Sequence, residues 1–426
     1  MPHAPGLNAM KPKSLIVLTA VTVVLVGVAA LSQRGGSPSA GVFHPQPLAP
    51  GLDARLNDAA RVTMGKGERT LILERRGEGW VVASKDGYPA QFEQVKQVLL
   101  VLAQAHLVDP MTTNAARFDR LGLDDPPGGK GTRIVVEDGS GAALATVVLG
   151  NTAGPPGKEQ SEAFARTGAL ERAFLARGEG SATLSFDPDP MSFIERTLFQ
   201  LDRLRVREVV IERPGETPVR LSRQTRDQAE PALEPMPAGR ELKYPGVLGQ
   251  VAGALSYVSI NDVASAASID FEKGLKATAR FTTFDGLSLT VRSADLGGVT
   301  WSAIAAAMAE GWEERAVVEA LAEARKRAED EARAALPEGQ GPAAPAIDPE
   351  AHASAERDAR AKADEDLKKL RAEIESINAK VAGWAFDLSE WRAEQLTAGL
   401  GYFLKAVEAT PPPAFEEPVG LPPPPR

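Results

Sequence analysis

Residues 132–150, TRIVVEDGSGAALATVVLG, hold two runs rich in β-branched side chains, Arg133 to Glu137 and Ala143 to Leu149. Between them stands Asp138-Gly139-Ser140-Gly141. Aspartate bonds to nearby backbone and glycine tolerates a left-handed backbone, so this spacing predicts an antiparallel hairpin. The same signals return downstream, where Ala277 to Thr283 and Leu287 to Arg292 enclose Phe284-Asp285-Gly286.

Working outward, each hairpin is preceded by strands and a helix. Thr70 to Glu74 and Trp80-Val81-Val82 have strand composition and flank a glycine-containing turn. Phe92, Val95, Val98, Leu99, Leu102 and His106 then recur at spacings of three and four, which predicts an amphipathic helix. Arg120-Leu121-Gly122-Leu123-Asp124-Asp125-Pro126 reads as a loop. After the first hairpin, Ala163-Phe164-Ala165 is expected as a last short strand, leading into an amphipathic segment near Leu170 to Leu175. Around the second hairpin the counterparts are strands at Val206 to Glu212 and Val219 to Ser222, and a helix at about Val247 to Leu255. Trp384-Ala385-Phe386 parallels Ala163-Phe164-Ala165, and a helix from Glu390 to Val407 parallels the segment after Gly168. The expected fold class is α+β, with two tandem units, residues 56–190 and residues 191–309 with 382–409, each an antiparallel sheet with helices on one face.

Residues 310–381 differ in composition and are expected as an inserted helical hairpin. Glu313 to Leu336 is almost all Ala, Glu, Arg and Lys, with a thin apolar stripe of Val317, Leu321, Ala324 and Ala328. Pro337 to Pro349 is a Pro/Gly/Ala break. In the second run Ala363, Leu367, Leu370, Ile374, Ile377 and Val381 alternate by four and three, the seam of a coiled coil. A charge run usually marks only a solvated face, but a sustained seam favours the hairpin. Alanine buries little area, so such an arm calls for a partner chain or self-association.

Near the start, SLIVLTAVTVVLVGVAAL runs from Ser14 to Leu31 without a charge. Ser14, Leu15, Ile16, Val17, Val23, Val24, Leu25 and Leu31 belong to a segment close to the roughly 20 residues that cross a bilayer core. Lys11 and Lys13 precede it, which keeps the N-terminus in the cytoplasm. A cleaved signal peptide would have a shorter apolar core and a small-x-small site, and Ala30-Leu31-Ser32 fits that poorly. The expectation is a transmembrane anchor within residues 1–34, a Gly/Ser/Pro linker over 35–55 and a Pro-rich disordered tail over 410–426. The bulk of the chain would then lie in the periplasm, held to the inner membrane.

Among 426 residues the net charge is −9, which argues against nucleic acid as a partner, because binding phosphates takes a basic face. Zero cysteines exclude disulfides, thiolate zinc sites and cysteine nucleophiles. The four histidines, His3, His44, His106 and His352, have no partners at metal-ligand spacing. Gly128-Gly129-Lys130-Gly131-Thr132 has the composition of a phosphate loop but leads into a strand, whereas phosphate binding needs a helix N-terminus. Asp124-Asp125 and Asp187-Pro188-Asp189-Pro190 hold too few oxygens for a hard cation and read as turns. No catalytic, cofactor-binding or metal-ligating residues are assigned.

Trp80 after a strand pair, Leu121-Gly122-Leu123-Asp124 followed by Pro126, and the strand ending Leu149-Gly150 resemble the first half of the domain of unknown function 4340 family. Phe193 to Leu204, the Phe284-Asp285-Gly286-Leu287 turn and Gly383-Trp384-Ala385-Phe386 are similar to its later part. The resemblance covers most of residues 56–408 and rests on the order of structural motifs. It implies a single-pass bacterial envelope protein without catalytic residues, in some members an auxiliary component of an ABC-type permease and ATPase, including systems named for gliding motility. A scaffold that recruits an envelope partner through the coiled-coil arm is the second expectation.

Overall fold

β-Branched runs become strands where alternate side chains can be buried, and among the described residues the strand pairings are antiparallel. The computed structural model describes residues 43–153, 161–168, 172–180, 182–334 and 349–406. The expected anchor from Ser14 to Leu31, the N-terminal part of the linker, nearly all of the Pro337 to Pro349 break and the 410–426 tail lie outside the described residues. Among the described residues no helix is long and apolar enough to cross a membrane. The chain is α+β with two antiparallel sheets, and its described residues fall into two compact units. One takes in the residues up to Thr70 with Lys96–Pro188; the other takes in Leu71–Val95 with everything described from Asp189 onward.

The elements run β1 (Gln46–Pro47), β2 (Ala59–Lys66), β3 (Arg69–Arg76), β4 (Gly79–Val82), β5 (Tyr88–Pro89) and helix α1 (Phe92–Gln104). Next come β6 (His106–Pro110), the one-turn helix α2 (Phe118–Leu121), β7 (Thr132–Asp138), β8 (Ala143–Thr152), β9 (Glu162–Thr167) and β10 (Phe174–Arg177). Within the first unit the strands lie in the order β1-β6-β10-β9-β8-β7-β2. The hairpin of residues 132–150 is β7–β8, with Ile134 opposite Val147. Asp138 closes its turn: Oδ1 accepts from Ser140 N at 2.9 Å, Ser140 Oγ at 2.6 Å and Ala142 N at 3.1 Å. The Ser140 bonds, ahead of those from Ala142 and Arg55, hold the Asp138 carboxyl down at about 2.

The second unit continues with β11 (Thr197–Phe199), β12 (Val206–Glu212), β13 (Val219–Ser222), β14 (Ala232–Glu234), α3 (Val247–Ala252), β15 (Val258–Ser265), β16 (Leu275–Thr283), β17 (Leu287–Leu296) and β18 (Val299–Met308). The arm follows as α4 (Trp312–Ala334) and α5 (Pro349–Val381), and the chain returns through β19 (Trp384–Leu388), α6 (Glu390–Leu396) and α7 (Leu400–Phe403). The second sheet has nine strands among the described residues, in the order β11-β15-β19-β18-β17-β16-β12-β13-β14. Phe281, Leu289, Val291, Phe386, Leu396 and Phe403 are buried in its core.

Six strands of each sheet share one connectivity: β6-β10-β9-β8-β7-β2 in the first and β15-β19-β18-β17-β16-β12 in the second. By that alignment β19 takes the place of β10, and β18 that of β9. The sequence parallel between Ala163-Phe164-Ala165 and Trp384-Ala385-Phe386 is therefore one strand out of step, because short Ala/aromatic strands look alike until their neighbours are known. The arm is inserted between β18 and β19.

Three further expectations are corrected. His106 does not close α1; the helix ends at Gln104 and His106 opens β6, opposite Pro47 and Arg177. The amphipathic segment expected near Leu170 to Leu175 gives way at Phe174 to a strand, Phe174–Arg177, between β6 and β9, and residues 169–171 lie outside the described residues. The helix expected from Glu390 to Val407 is two short helices: Thr397 Oγ1 donates to Ala393 O at 2.8 Å, and Gly399 is extended, ending the first.

Residues 71–95 fold onto the second sheet through both rings and charges. Tyr88 packs edge-on against Trp384 and Phe386, at 4.8 and 6.3 Å between centroids, and burial pushes its phenol up to about 12. Lys85 Nζ meets Asp262 Oδ1 at 2.5 Å, and Ser265 N donates to Asp86 Oδ2 at 2.8 Å.

Asp262 stands opposite Asp387 across β15 and β19. Burial, and then the Asp262 charge, raise the Asp387 carboxyl above its ordinary value. A carboxyl that holds its proton more tightly when folded lowers stability as the pH rises through its ordinary range to the raised folded value, and the penalty persists above it. Asp387→Asn is expected to raise the urea midpoint at pH 7 and to leave it unchanged at pH 3; equal midpoints at both pH values would remove this account.

Ser293 and Ser302 are a buried cross-strand pair on β17 and β18, with their hydroxyls 3.0 Å apart. Replacing one by alanine strands the other hydroxyl, at a cost of about 1–3 kcal/mol, whereas replacing both removes the polar group altogether. Equilibrium unfolding is expected to show the double Ser293→Ala, Ser302→Ala variant losing less than the two single losses added.

Candidate interaction surface at the root of the helical arm

The root of the arm is built on the β16–β17 turn. Thr283 is buried; its Oγ1 accepts from Leu287 N at 2.9 Å and donates to Leu287 O at 3.3 Å, closing the turn over Phe284-Asp285-Gly286. Gly286 has φ +88°, and a Cβ there would stand 2.1 Å from Cδ1 of Trp312. Glycine is thus required twice, by the left-handed backbone and by the indole lying against it. Trp312, the first residue of α4, is buried, and the Arg315 guanidinium sits 5.5 Å from its ring centroid. Arg315 is held there by Nη2 donating to Glu310 O at 2.7 Å.

Arg205, just before β12, ties this turn to α5. Its Nε donates to Asp285 Oδ2 at 3.0 Å, while Nη1 and Nη2 donate to the two oxygens of Glu373 at 2.9 and 3.0 Å. This planar fork matches a carboxylate in a way lysine could not. The Glu373 bonds, against burial, raise the guanidinium further above its ordinary value. Toward its end α5 runs along β18, where the Asn378 side-chain amide mimics a strand: Nδ2 donates to Ala306 O at 2.8 Å and Oδ1 accepts from Ala306 N at 2.9 Å. Lys380 Nζ donates to Leu198 O at 3.0 Å.

Beyond the root the two helices run antiparallel. Glu313 pairs with Arg371 at 2.6 Å and Arg325 with Glu356 at 3.8 Å, linking early residues of α4 to late ones of α5 and the reverse. Of the seam residues, Leu367, Leu370, Ile377 and Val381 are buried and Ile374 is half-buried. Leu367 and Leu370 face a groove of about 950 Å³ between the helices, floored by alanines such as Ala316, Ala320 and Ala324 on α4 and Ala359 and Ala363 on α5. Alanine is too short to fill the space, and charges of both signs, Glu319, Glu323 and Asp366 with Arg327, Lys362 and Lys369, rim it. Val318 is exposed on the same helix. A groove with a small-residue floor and a mixed-charge rim suits the side chains of another helix.

The root was not visible in the sequence. Asp285 was placed in its turn, but Arg205, Glu373, Trp312 and Asn378 carried no signal beyond composition. The other sequence candidates are spent on structure. Asp125 pairs with Arg133 at 3.2 Å and also with Arg166. Asp187 pairs with Arg69 at 2.7 Å, and Asp189 caps a short turn by accepting from Met191 N at 3.1 Å. Gly131 leads straight into β7, its N–H donating to Asp124 O at 3.0 Å. Among the described residues no group of three acidic or histidine side chains is placed to hold a metal ion.

Comparison with known proteins adds one match: residues 80–277 fit the model of the family described as Domain of unknown function (DUF4340). Neither a curated protein nor a solved structure matches the chain.

Gly286→Ala is expected to lower the unfolding free energy by about 3 kcal/mol, combining left-handed strain with an overpacked contact. Urea denaturation followed by tryptophan emission checks this, and a loss within about 0.5 kcal/mol, the range of an unremarked surface change, would contradict the packing described.

Proposed function

The chain carries a domain of the DUF4340 family over residues 80–277, and from that premise we propose that it is a non-enzymatic, single-pass protein of the inner membrane whose folded part stands in the periplasm as an auxiliary or binding component of an ABC-type transport system. The observation that carries this reading is the uncharged run from Ser14 to Leu31, preceded by Lys11 and Lys13 and followed by a Gly/Ser/Pro linker. Such a run has the length and flanking charge of a membrane anchor, which supports a folded part held at the bilayer within reach of a permease. What the family resemblance implies of envelope location and transporter association agrees with that topology. The charged groups at the arm root support binding rather than catalysis, since Arg205, Asp285 and Glu373 are committed to one another.

A second reading is favoured by the groove. An alanine-floored cleft between two antiparallel helices suits a coiled-coil partner, either another envelope protein or a second copy of this chain. In that case the arm recruits the partner and the protein is a scaffold.

Two measurements test these readings. A carboxyl-terminal alkaline phosphatase fusion is expected to be active, a carboxyl-terminal green fluorescent protein fusion dark, and the chain retained in membranes washed with carbonate. An inactive phosphatase, or release by mild salt, would overturn the location. A photocrosslinking residue at Ala320 is expected to capture a permease or ATPase subunit, with Ala324→Arg abolishing the adduct. An adduct only to a second copy or to a non-transport envelope protein selects the scaffold, and an adduct to neither removes both roles from the arm.

A further inference from the structure

On the second unit, away from the arm, α3, α6 and α7 line an open cleft of about 440 Å³, within the roughly 300–1,000 Å³ typical of small-ligand sites. Trp391 lines it although the side chain is 53% exposed, an unusual amount for an indole. The ring is not loose. The guanidinium of Arg392, itself 6% exposed, lies 4.5 Å from its centroid and donates to Ala254 O, which clamps one face of the indole. Burial lowers the Arg392 guanidinium from its ordinary value.

Around this platform stand hydrogen-bonding groups with capacity left over. Gln395 is only 5% exposed and lines the pocket; its side-chain amide bonds the Tyr402 hydroxyl, while its Oε1 accepts no hydrogen bond. A buried amide oxygen left unpaired costs about 1–3 kcal/mol, so this one is placed to accept from a donor entering the pocket, whether water or a ligand hydroxyl. Arg203 and Glu394 also line the pocket, and among the described residues neither is engaged in an ion pair. Ser256 and Tyr402 complete the wall, and burial pushes the Tyr402 phenol up.

The mixture selects a ligand class. One cation and one anion together favour neither sign of charge. Donors (Arg203, Ser256) and acceptors (Glu394, Gln395) side by side suit hydroxyl groups, each of which donates and accepts at once. A fixed aromatic face suits the C–H-lined face of a sugar ring, whose positive edge meets the negative face of the indole. We propose that this pocket binds a saccharide, with a pyranose ring stacked on Trp391 and its hydroxyls bonded to Gln395, Glu394 and Arg203. The proposal is independent of the membrane anchor and of any partner on the arm.

The test uses the purified full chain in a detergent without a sugar headgroup, titrated with glucose, N-acetylglucosamine, galactose and maltose. Saturation-transfer NMR and tryptophan emission are read together. At least one of these sugars is expected to bind saturably. Trp391→Ala should weaken that binding at least tenfold, and Gln395→Met, which keeps the volume but accepts no comparable bond, about fivefold, with circular dichroism unchanged in both. Absence of saturable binding to all four sugars overturns the proposal, as does binding that both variants leave unchanged. Should Gln395→Met fail to fold, the surface variant Trp391→Ala decides alone.

Discussion

The guanidinium of Arg205 is the point on which the arm turns. It reaches 80 residues along the chain to Asp285 and 168 to Glu373, bonding one oxygen of the first and both of the second with one planar group, while Asp285 Oδ1 is left unpaired. The three side chains are between a quarter and two-fifths exposed, so solvent screens the attraction and its value lies chiefly in geometry. Five donors fixed in a plane hold the helix at one angle to the turn, where a lysine would leave it free to swivel. Gly286 makes the complementary contribution by letting the Trp312 ring lie flat against the hairpin. Together they convert a three-residue connection between β18 and α4 into a firm joint.

Away from that joint the arm becomes progressively less able to hold itself. Its last turns near β18 bury Ile377 and Val381 and lock Asn378 to a strand edge. Farther out, alanines replace leucines and the space between the helices opens. Burial of apolar area is worth roughly 25 cal/mol per Å², so a methyl-lined cleft contributes little. An arm that is firm at its base and underpacked along its length presents a surface whose stability improves when something fills it.

The second unit thus carries two surfaces of different chemistry. The groove is long, charged at the rim and shallow in apolar area; the pocket beside Trp391 is small, polar and aromatic. Both are made by additions to a sheet whose six central strands follow the same path as those of the first unit. In the first unit the chain passes from β9 to β10 through only a handful of residues, whereas in the second the corresponding connection has expanded into the whole arm. The shared path serves as scaffold, and the insertion and the terminal helices supply what is distinctive.

Local chemistry alone determined much of this protein. The two hairpins were legible because Asp and Gly in a four-residue turn leave the backbone few other courses, and the arm because Ala, Glu, Arg and Lys form helix whatever surrounds them. Strands such as β6, β10 and β14 were not, since two or three buried residues become a strand only when a neighbour offers an edge. The partnership of β19 with β18 and β15, the Arg205 fork and the cluster around Trp391 were decided by tertiary structure. Each depends on residues brought together from tens to hundreds of positions apart, and such distances leave no trace in the spacing of a sequence.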